Sequence, residues 1–232
     1  MSIKGETVSV IMPVYNEERT LKAIVSRVLA QKFVDELVII DDCSRDGTPK
    51  IIAAMARKNK RIKAIRNRTN MGKGYSVRAG LKIAKDGIII VQDADLEYYP
   101  EDYAIMIRAL GPKNFVLGRR TLQKSTGHRY ALSAFANDVF SMEFNLMYGT
   151  SIKDINTCYK VFRKSMIDVN ALRANDFRGD PEMLVNLVRN GYSAKEVLVR
   201  YKGRTFAEGK KINAKDAVKQ GAFILWSRIS GK

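Results

Sequence analysis

Gly87-Ile88-Ile89-Ile90-Val91-Gln92-Asp93-Ala94-Asp95-Leu96-Glu97 is a short apolar run that ends in carboxylates. The apolar part reads as a buried strand. Residues i and i+2 of a strand face the same side, so Asp93 and Asp95 are presented together. Neighbouring like charges raise each other's pKa and repel unless a cation lies between them. A hard divalent cation with oxygen ligands answers that need, and Mg²⁺ or Mn²⁺ on one or two carboxylates plus substrate phosphates is the expected form. The other reading is a solvated turn, where Asp is common.

Outward from this stretch, strands and helices alternate. Val8 to Met12 reads as a buried strand ended by Pro13. Leu21, Ile24, Val25, Val28 and Leu29 have helical spacing within Glu17 to Gln31. Glu36 to Asp41 is a second strand, and Asp46-Gly47-Thr48-Pro49 opens a helix that runs to about Asn59. A strand over 62–65 and a helix over 73–85 precede the strand 88–92. This order predicts an α/β domain with a mostly parallel, Rossmann-like sheet flanked by helices. Ligands of such sheets bind beyond the carboxyl ends of the strands, where Pro13-Val14-Tyr15, Asp41-Asp42 and Asp93-Asp95 fall. The second half predicts strands at 115–118, 157–162 and 196–201, and helices at 130–147, 181–190 and 214–229.

The chain has 232 residues and a formal charge of +17, from 41 Lys and Arg against 24 Asp and Glu. That excess suits a nucleic acid, a phosphorylated substrate or an anionic membrane surface. No nucleic-acid-binding motif accompanies it, and the cations are dispersed, so no nucleic-acid partner is expected. Cys43 and Cys158 have no metal-ligand spacing, and a reduced, cytoplasmic setting is expected. Neither a signal-peptide core nor a membrane-spanning run is expected. A Rossmann dinucleotide fingerprint is excluded, because Pro13-Val14-Tyr15-Asn16-Glu17 follows the first strand. A P-loop is excluded because Gly72-Lys73 precedes Gly74.

Four motifs stand in order: Val10-Ile11-Met12-Pro13-Val14-Tyr15-Asn16-Glu17, Ile40-Asp41-Asp42-Cys43-Ser44-Arg45-Asp46-Gly47-Thr48, Asn70-Met71-Gly72-Lys73-Gly74 and Gln92-Asp93-Ala94-Asp95-Leu96-Glu97-Tyr98. Together they resemble family 2 glycosyltransferases of the GT-A fold, and among these the polyprenyl-phosphate (dolichyl-phosphate) mannose and glucose synthases. The resemblance covers roughly residues 7 to 211, taken as the catalytic domain, with 212–232 as an amphipathic C-terminal helix. Cys43 and Cys158 depart from it, standing where the family tends to have glycine.

The resemblance implies an inverting hexose transfer from a nucleotide sugar, GDP-mannose or UDP-glucose/UDP-GlcNAc, to a polyprenyl phosphate. It implies a donor-nucleotide site of Pro13, Tyr15, Glu17, Asp41, Lys73 and Asp93, closed by a basic loop with Arg204, Lys210 and Lys211. A solvated lysine is the other reading of Lys73. Asp42 and Ser44 are alternatively caps of the next helix. The implied metal ligands are Asp93, Asp95 and Glu97. Arg119, Arg129 and Ser133 are the implied acceptor-phosphate clamp, with Asp154 and Glu182 nearby. Asp95, Arg119 and Arg129 are the residues expected to carry catalysis. Guanidinium suits a phosphate because it offers paired donors. A sugar-hydroxyl acceptor is the rival, and it would require a carboxylate base, Asp154 or Glu182. The C-terminal helix either packs on the domain or lies on an anionic membrane surface. The expectation is a protein peripheral to the cytosolic face of a membrane.

Overall fold

The computed structural model describes residues 5–122, 128–203 and 221–228; for residues 122 and 128–134 the description is of the backbone. The order is β1 (Thr7–Val14), α1 (Leu21–Ala30), β2 (Glu36–Asp41), α2 (Thr48–Lys58), β3 (Ile62–Arg66), α3 (Lys73–Ile83), β4 (Gly87–Val91), α4 (Tyr103–Ala109), β5 (Asn114–Leu122), α5 (His128–Tyr148), β6 (Lys160–Arg163), α6 (Gly179–Arg189) and β7 (Ser193–Tyr201).

The strands form one sheet in the order β3-β2-β1-β4-β6-β5-β7. β3, β2, β1 and β4 are parallel, as the alternation with helices predicts. β6 then enters antiparallel between β4 and β5, and β7 runs parallel to β5 at the far edge. Continuous apolar runs build the centre, since β2 is buried throughout and β4 beyond Gly87. α1 turns Leu21, Ile24, Val25 and Val28 inward, the i, i+3, i+4, i+7 stripe of a half-buried helix. The chain order reverses between β1 and β4, so the switch point lies at the carboxyl ends of β2, β1 and β4.

Several predicted boundaries shift, and one helix is new. The strand predicted over 157–162 begins at Lys160; before it, the Cys158 amide donates to Tyr98 Oη (3.0 Å) instead of to a neighbouring strand, and Thr157 Oγ1 donates to the Gly118 carbonyl (2.6 Å). The helix of the second half starts at His128 rather than Tyr130. α4 was not anticipated; Pro100 opens a 3₁₀ turn that runs directly into it.

Gly72-Lys73-Gly74 has a packing explanation. A Cβ on Gly72 would lie 2.4 Å from the Asn175 carbonyl oxygen, and one on Gly74 2.5 Å from that of Ala174. Gly72 also has φ +94°, a backbone that disfavours other residues. The loop is thereby pressed onto residues 174–179. Gly72→Ala is expected to cost about 2–4 kcal/mol, from strain at the positive φ together with overpacking against backbone. Urea unfolding checks it; a midpoint within 0.5 kcal/mol of wild type, on the scale of about 1–3 kcal/mol per molar urea, would contradict it.

Candidate active site

The carboxyl edge is laced by hydrogen bonds between its loops. Val14 pairs with Asp41 across β1 and β2, and the Gln92 amide donates to the Ile11 carbonyl at 3.0 Å. These contacts bring the turns after β1, β2 and β4 to one place. The Asn16 amide donates to Ser44 Oγ (2.9 Å), the Arg45 amide to Asn16 Oδ1 (2.8 Å) and the Glu17 amide to Thr48 Oγ1 (2.9 Å). Pro13 and Tyr15 are half-buried on this edge, while Glu17 is buried and accepts Thr20 Oγ1 at 2.9 Å.

The adjacent acids at the end of β2, Asp41 in the strand and Asp42 just after it, separate cleanly. Asp42 is a brace rather than a helix cap. It accepts the amides of Met71 (2.8 Å) and Gly72 (2.7 Å) and the Asn67 side chain (2.7 Å). Asp41 Oδ1 accepts the Ser44 amide at 3.0 Å. Arg66 Nε lies 3.2 Å from Asp41 Oδ2, an ion contact without hydrogen-bond alignment, so that buried oxygen keeps an unused acceptor. Of the two, Asp41 is the one equipped to receive a ligand's donor.

The amides around the start of α3 are already spoken for. Gly74 N donates to the Asp176 carbonyl (3.2 Å) and Tyr75 N to that of Asn175 (3.0 Å). With Met71 and Gly72 bound to Asp42, the loop offers no cradle of amides to a phosphate. What it offers is Lys73. Its ammonium is held between two carboxylates rather than pointing freely into solvent. It lies 3.0 Å from each oxygen of Asp93 and 3.2 Å from Asp180 Oδ2. Burial works against that charge, but Asp180 and Asp93 outweigh it and hold the Lys73 pKa well above the ordinary lysine range.

After β4, Gln92 is a buried hub whose carbonyl accepts the hydroxyls of Tyr103 (2.6 Å) and Tyr159 (2.7 Å). Asp95 Oδ1 accepts the Glu97 amide at 3.2 Å across a turn that puts Leu96 at φ 62°. Glu97 turns toward Tyr201, accepting its hydroxyl at 2.7 Å. Among the described residues, no three His, Cys, Asp or Glu side chains gather into a closed metal-ligand group. Asp93 with Asp95 still fits a cation that takes part of its shell from a diphosphate. Both oxygens of Asp93 already hold an ammonium, and the donors are the hard oxygens that Mg²⁺ and Mn²⁺ take.

On the other side, Arg119 and Arg120 project from opposite faces of β5. Arg120 binds Asp154 through Nε (2.8 Å) and Nη2 (2.6 Å), and its amide adds a third bond (3.1 Å). Its guanidinium lies over the Tyr201 ring at 5.1 Å. Asp154 therefore braces Arg120. Glu182 accepts the amides of Arg173 (2.7 Å) and Ala174 (2.9 Å), tying down the loop that carries the Gly72–Gly74 contact. Arg129 and Ser133 are in the first turns of α5, with side chains outside the described residues. Arg204, Lys210 and Lys211 also lie outside the described residues.

Sequence reasoning passed over Asp180 and Lys160. Lys160 is fully buried, and its ammonium binds Asp180 Oδ1 at 2.7 Å and the Thr157 carbonyl. Burial raises the Asp180 pKa, but Lys160 and Lys73 together bring it below the usual carboxylate value. A charged residue in the apolar strand Lys160-Val161-Phe162 was the available signal.

The glycosyl transferase family 2 model matches residues 9–170. The undecaprenyl-phosphate 4-deoxy-4-formamido-L-arabinose transferase of Aeromonas hydrophila is 32% identical over 171 residues, covering 69% of this chain and 50% of that protein. A dolichyl-phosphate beta-glucosyltransferase of Trichomonas vaginalis is 26% identical, covering 94% of this chain and 72% of its own length. This chain thus spans half the length of the first relative. The crystal structure of glucosyl-3-phosphoglycerate synthase from Mycobacterium tuberculosis, in complex with Mn²⁺, UDP and glucosyl-3-phosphoglycerate, superposes with a TM-score of 0.67. It is 18% identical, and the match covers 97% of this chain and 80% of that one, a likeness of fold. By the span of the family match and the first relative's identity, the chain belongs to glycosyl transferase family 2.

Proposed function

We propose that this protein transfers a hexose from a nucleotide sugar to a polyprenyl phosphate, with inversion, giving a β-linked lipid-phosphate sugar. The observation that carries the acceptor is the engagement of the candidate bases. A sugar hydroxyl needs a carboxylate to take its proton. Asp154 is bound by Arg120 and Glu182 by two loop amides. A phosphate monoester needs no base, because its second pKa is about 6 and it is mostly dianionic at neutral pH.

The nucleotide occupies the carboxyl edge. Pro13 and Tyr15 wall the base, while Glu17 and the spare acceptor of Asp41 take its donors or those of the ribose. Asp95, with Asp93 beside it, holds Mg²⁺ or Mn²⁺; Glu97 braces that turn through Tyr201. The cation's contribution is to offset charge on the departing diphosphate. Arg119 and Arg129, with Ser133, align the incoming phosphate. Arg204, Lys210 and Lys211 supply further cations for the diphosphate. The work of these side chains is alignment and charge placement.

The setting is a membrane surface. No helix among the described residues is long and apolar enough to span a bilayer. Phe135, Val139, Met142 and Leu146 form an exposed apolar row on α5, and Leu225 and Trp226 are exposed in the helical segment 221–228. That segment is anchored to the domain by Ser227 on Tyr148 (2.7 Å) and by buried Ile224. An apolar row on a chain of charge +17 suits peripheral binding to an anionic, cytosolic leaflet.

The test is transfer from radiolabelled GDP-mannose, UDP-glucose and UDP-GlcNAc to polyprenyl phosphate in anionic vesicles, with Mn²⁺, Mg²⁺ or EDTA. Lipid-extractable label that EDTA abolishes is expected from one donor, with the protein sedimenting with the vesicles. Donor turnover without lipid product would move the acceptor to a glycan hydroxyl.

A further inference from the structure

Four charged side chains run inward from the donor edge with alternating sign: Asp93, Lys73, Asp180 and Lys160. Side-chain exposure falls from 24% at Asp93 to 18% at Lys73, 12% at Asp180 and 0% at Lys160. Each neighbour is in contact, at 3.0, 3.2 and 2.7 Å. The row sums to zero charge. They come from separate parts of the chain: the turn after β4, the first turn of α3, the first turn of α6 and the start of β6. β6 lies beside β4, so the buried end of the row is fixed in the sheet. The outer end is not, since Lys73 is a flexible chain with two carboxylates in reach.

A divalent cation arriving at Asp93 meets the Lys73 ammonium already there. Two cations on one carboxylate repel, so binding requires Lys73 to withdraw. Its alternative partner is Asp180, whose free attraction depends on how much of its charge Lys160 has taken. We propose that Asp180 is a positioning residue for cation binding at the donor site. It draws Lys73 off Asp93, and Lys160 sets the strength of the pull. This rests on the donor-site reading of Asp93.

Mn²⁺ binding to the full chain, read as loss of the free-ion electron paramagnetic resonance signal, tests it. A neighbouring charge changes a carboxylate's affinity for a proton by about ten- to a thousandfold; for Mn²⁺ the low end, about tenfold, is expected. Lys73→Met should tighten Mn²⁺ by that factor, and Asp180→Asn should weaken it several-fold. In the Lys73→Met background Asp180→Asn should have no further effect, because it acts through Lys73. Asp180→Asn strands the buried Lys160 charge and can fail to fold. Lys160→Met leaves Asp180 paired with Lys73 and should shift Mn²⁺ affinity the opposite way, tightening it. Weaker binding in Lys73→Met, equal loss from Asp180→Asn with and without Lys73, or an unchanged Lys160→Met would each overturn the inference. Wild-type protein that binds no Mn²⁺, alone or with UDP or GDP, would overturn the donor-site reading and this inference with it.

Discussion

Asp95→Asn is expected to lower kcat/KM for sugar transfer by at least about a thousandfold while leaving the melting temperature within a few degrees of wild type. The first half follows from charge. A Lewis-acid cation supplies several kcal/mol of transition-state stabilisation, and about 4 kcal/mol is a thousandfold in rate. Asparagine keeps the shape and the oxygen that accepts the Glu97 amide but removes the formal charge. The second half follows from place, because Asp95 is partly exposed on a turn at the sheet edge. Steady-state kinetics at saturating Mn²⁺, beside a melting curve, separates the two effects. Activity within tenfold of wild type would remove Asp95 from the reaction.

The second large effect is on stability, at Arg120. Arg120→Ala leaves the Asp154 carboxylate buried, with its guanidinium partner gone. Breaking a buried pair from one side costs about 3–5 kcal/mol, and for a domain of this size that lowers the melting temperature by about 10 °C. Burial opposes the Arg120 charge, and Tyr98 and Asp154 beside it hold its pKa well above the ordinary arginine range, so the guanidinium keeps its charge. Arg120→Lys should recover less than half of the loss, since lysine cannot present the two parallel donors. Arg119→Ala is the control, with slower transfer and an unchanged melting temperature. If both variants melt like wild type, the Arg120–Asp154 pair carries no stability.

These neighbours show what sequence can and cannot carry. Arg119-Arg120 reads as one basic doublet, and strand alternation says that its members face apart, but only the fold reveals that Asp154 waits on one side. β1, β2 and β4 are legible because a strand buried on both faces must be an unbroken apolar run. The carboxyl-edge acids are legible because such sheets place ligands there. The antiparallel entry of β6 is not, because strand order is set by contacts between distant segments. Asp180 and Lys160 escaped notice for the same reason. Each is intelligible only through a partner distant in sequence, Lys160 through Asp180 and Asp180 through both Lys160 and Lys73. In the sequence Gly74 serves only to exclude a P-loop; its need for closeness to the backbone at 174–176 depends on a loop a hundred residues later.

The insertion of β6 also has a temporal side. A ribosome releases β4 and β5 before the strand that joins them, so the flank of Gly87–Val91 waits about 70 residues for its partner. Over that interval a fully apolar strand presents unpaired backbone groups to the cell. Truncation between β5 and β6 therefore does not yield a smaller working enzyme. It is expected to yield a half-sheet whose open β4 edge favours aggregation, during synthesis as well as after truncation.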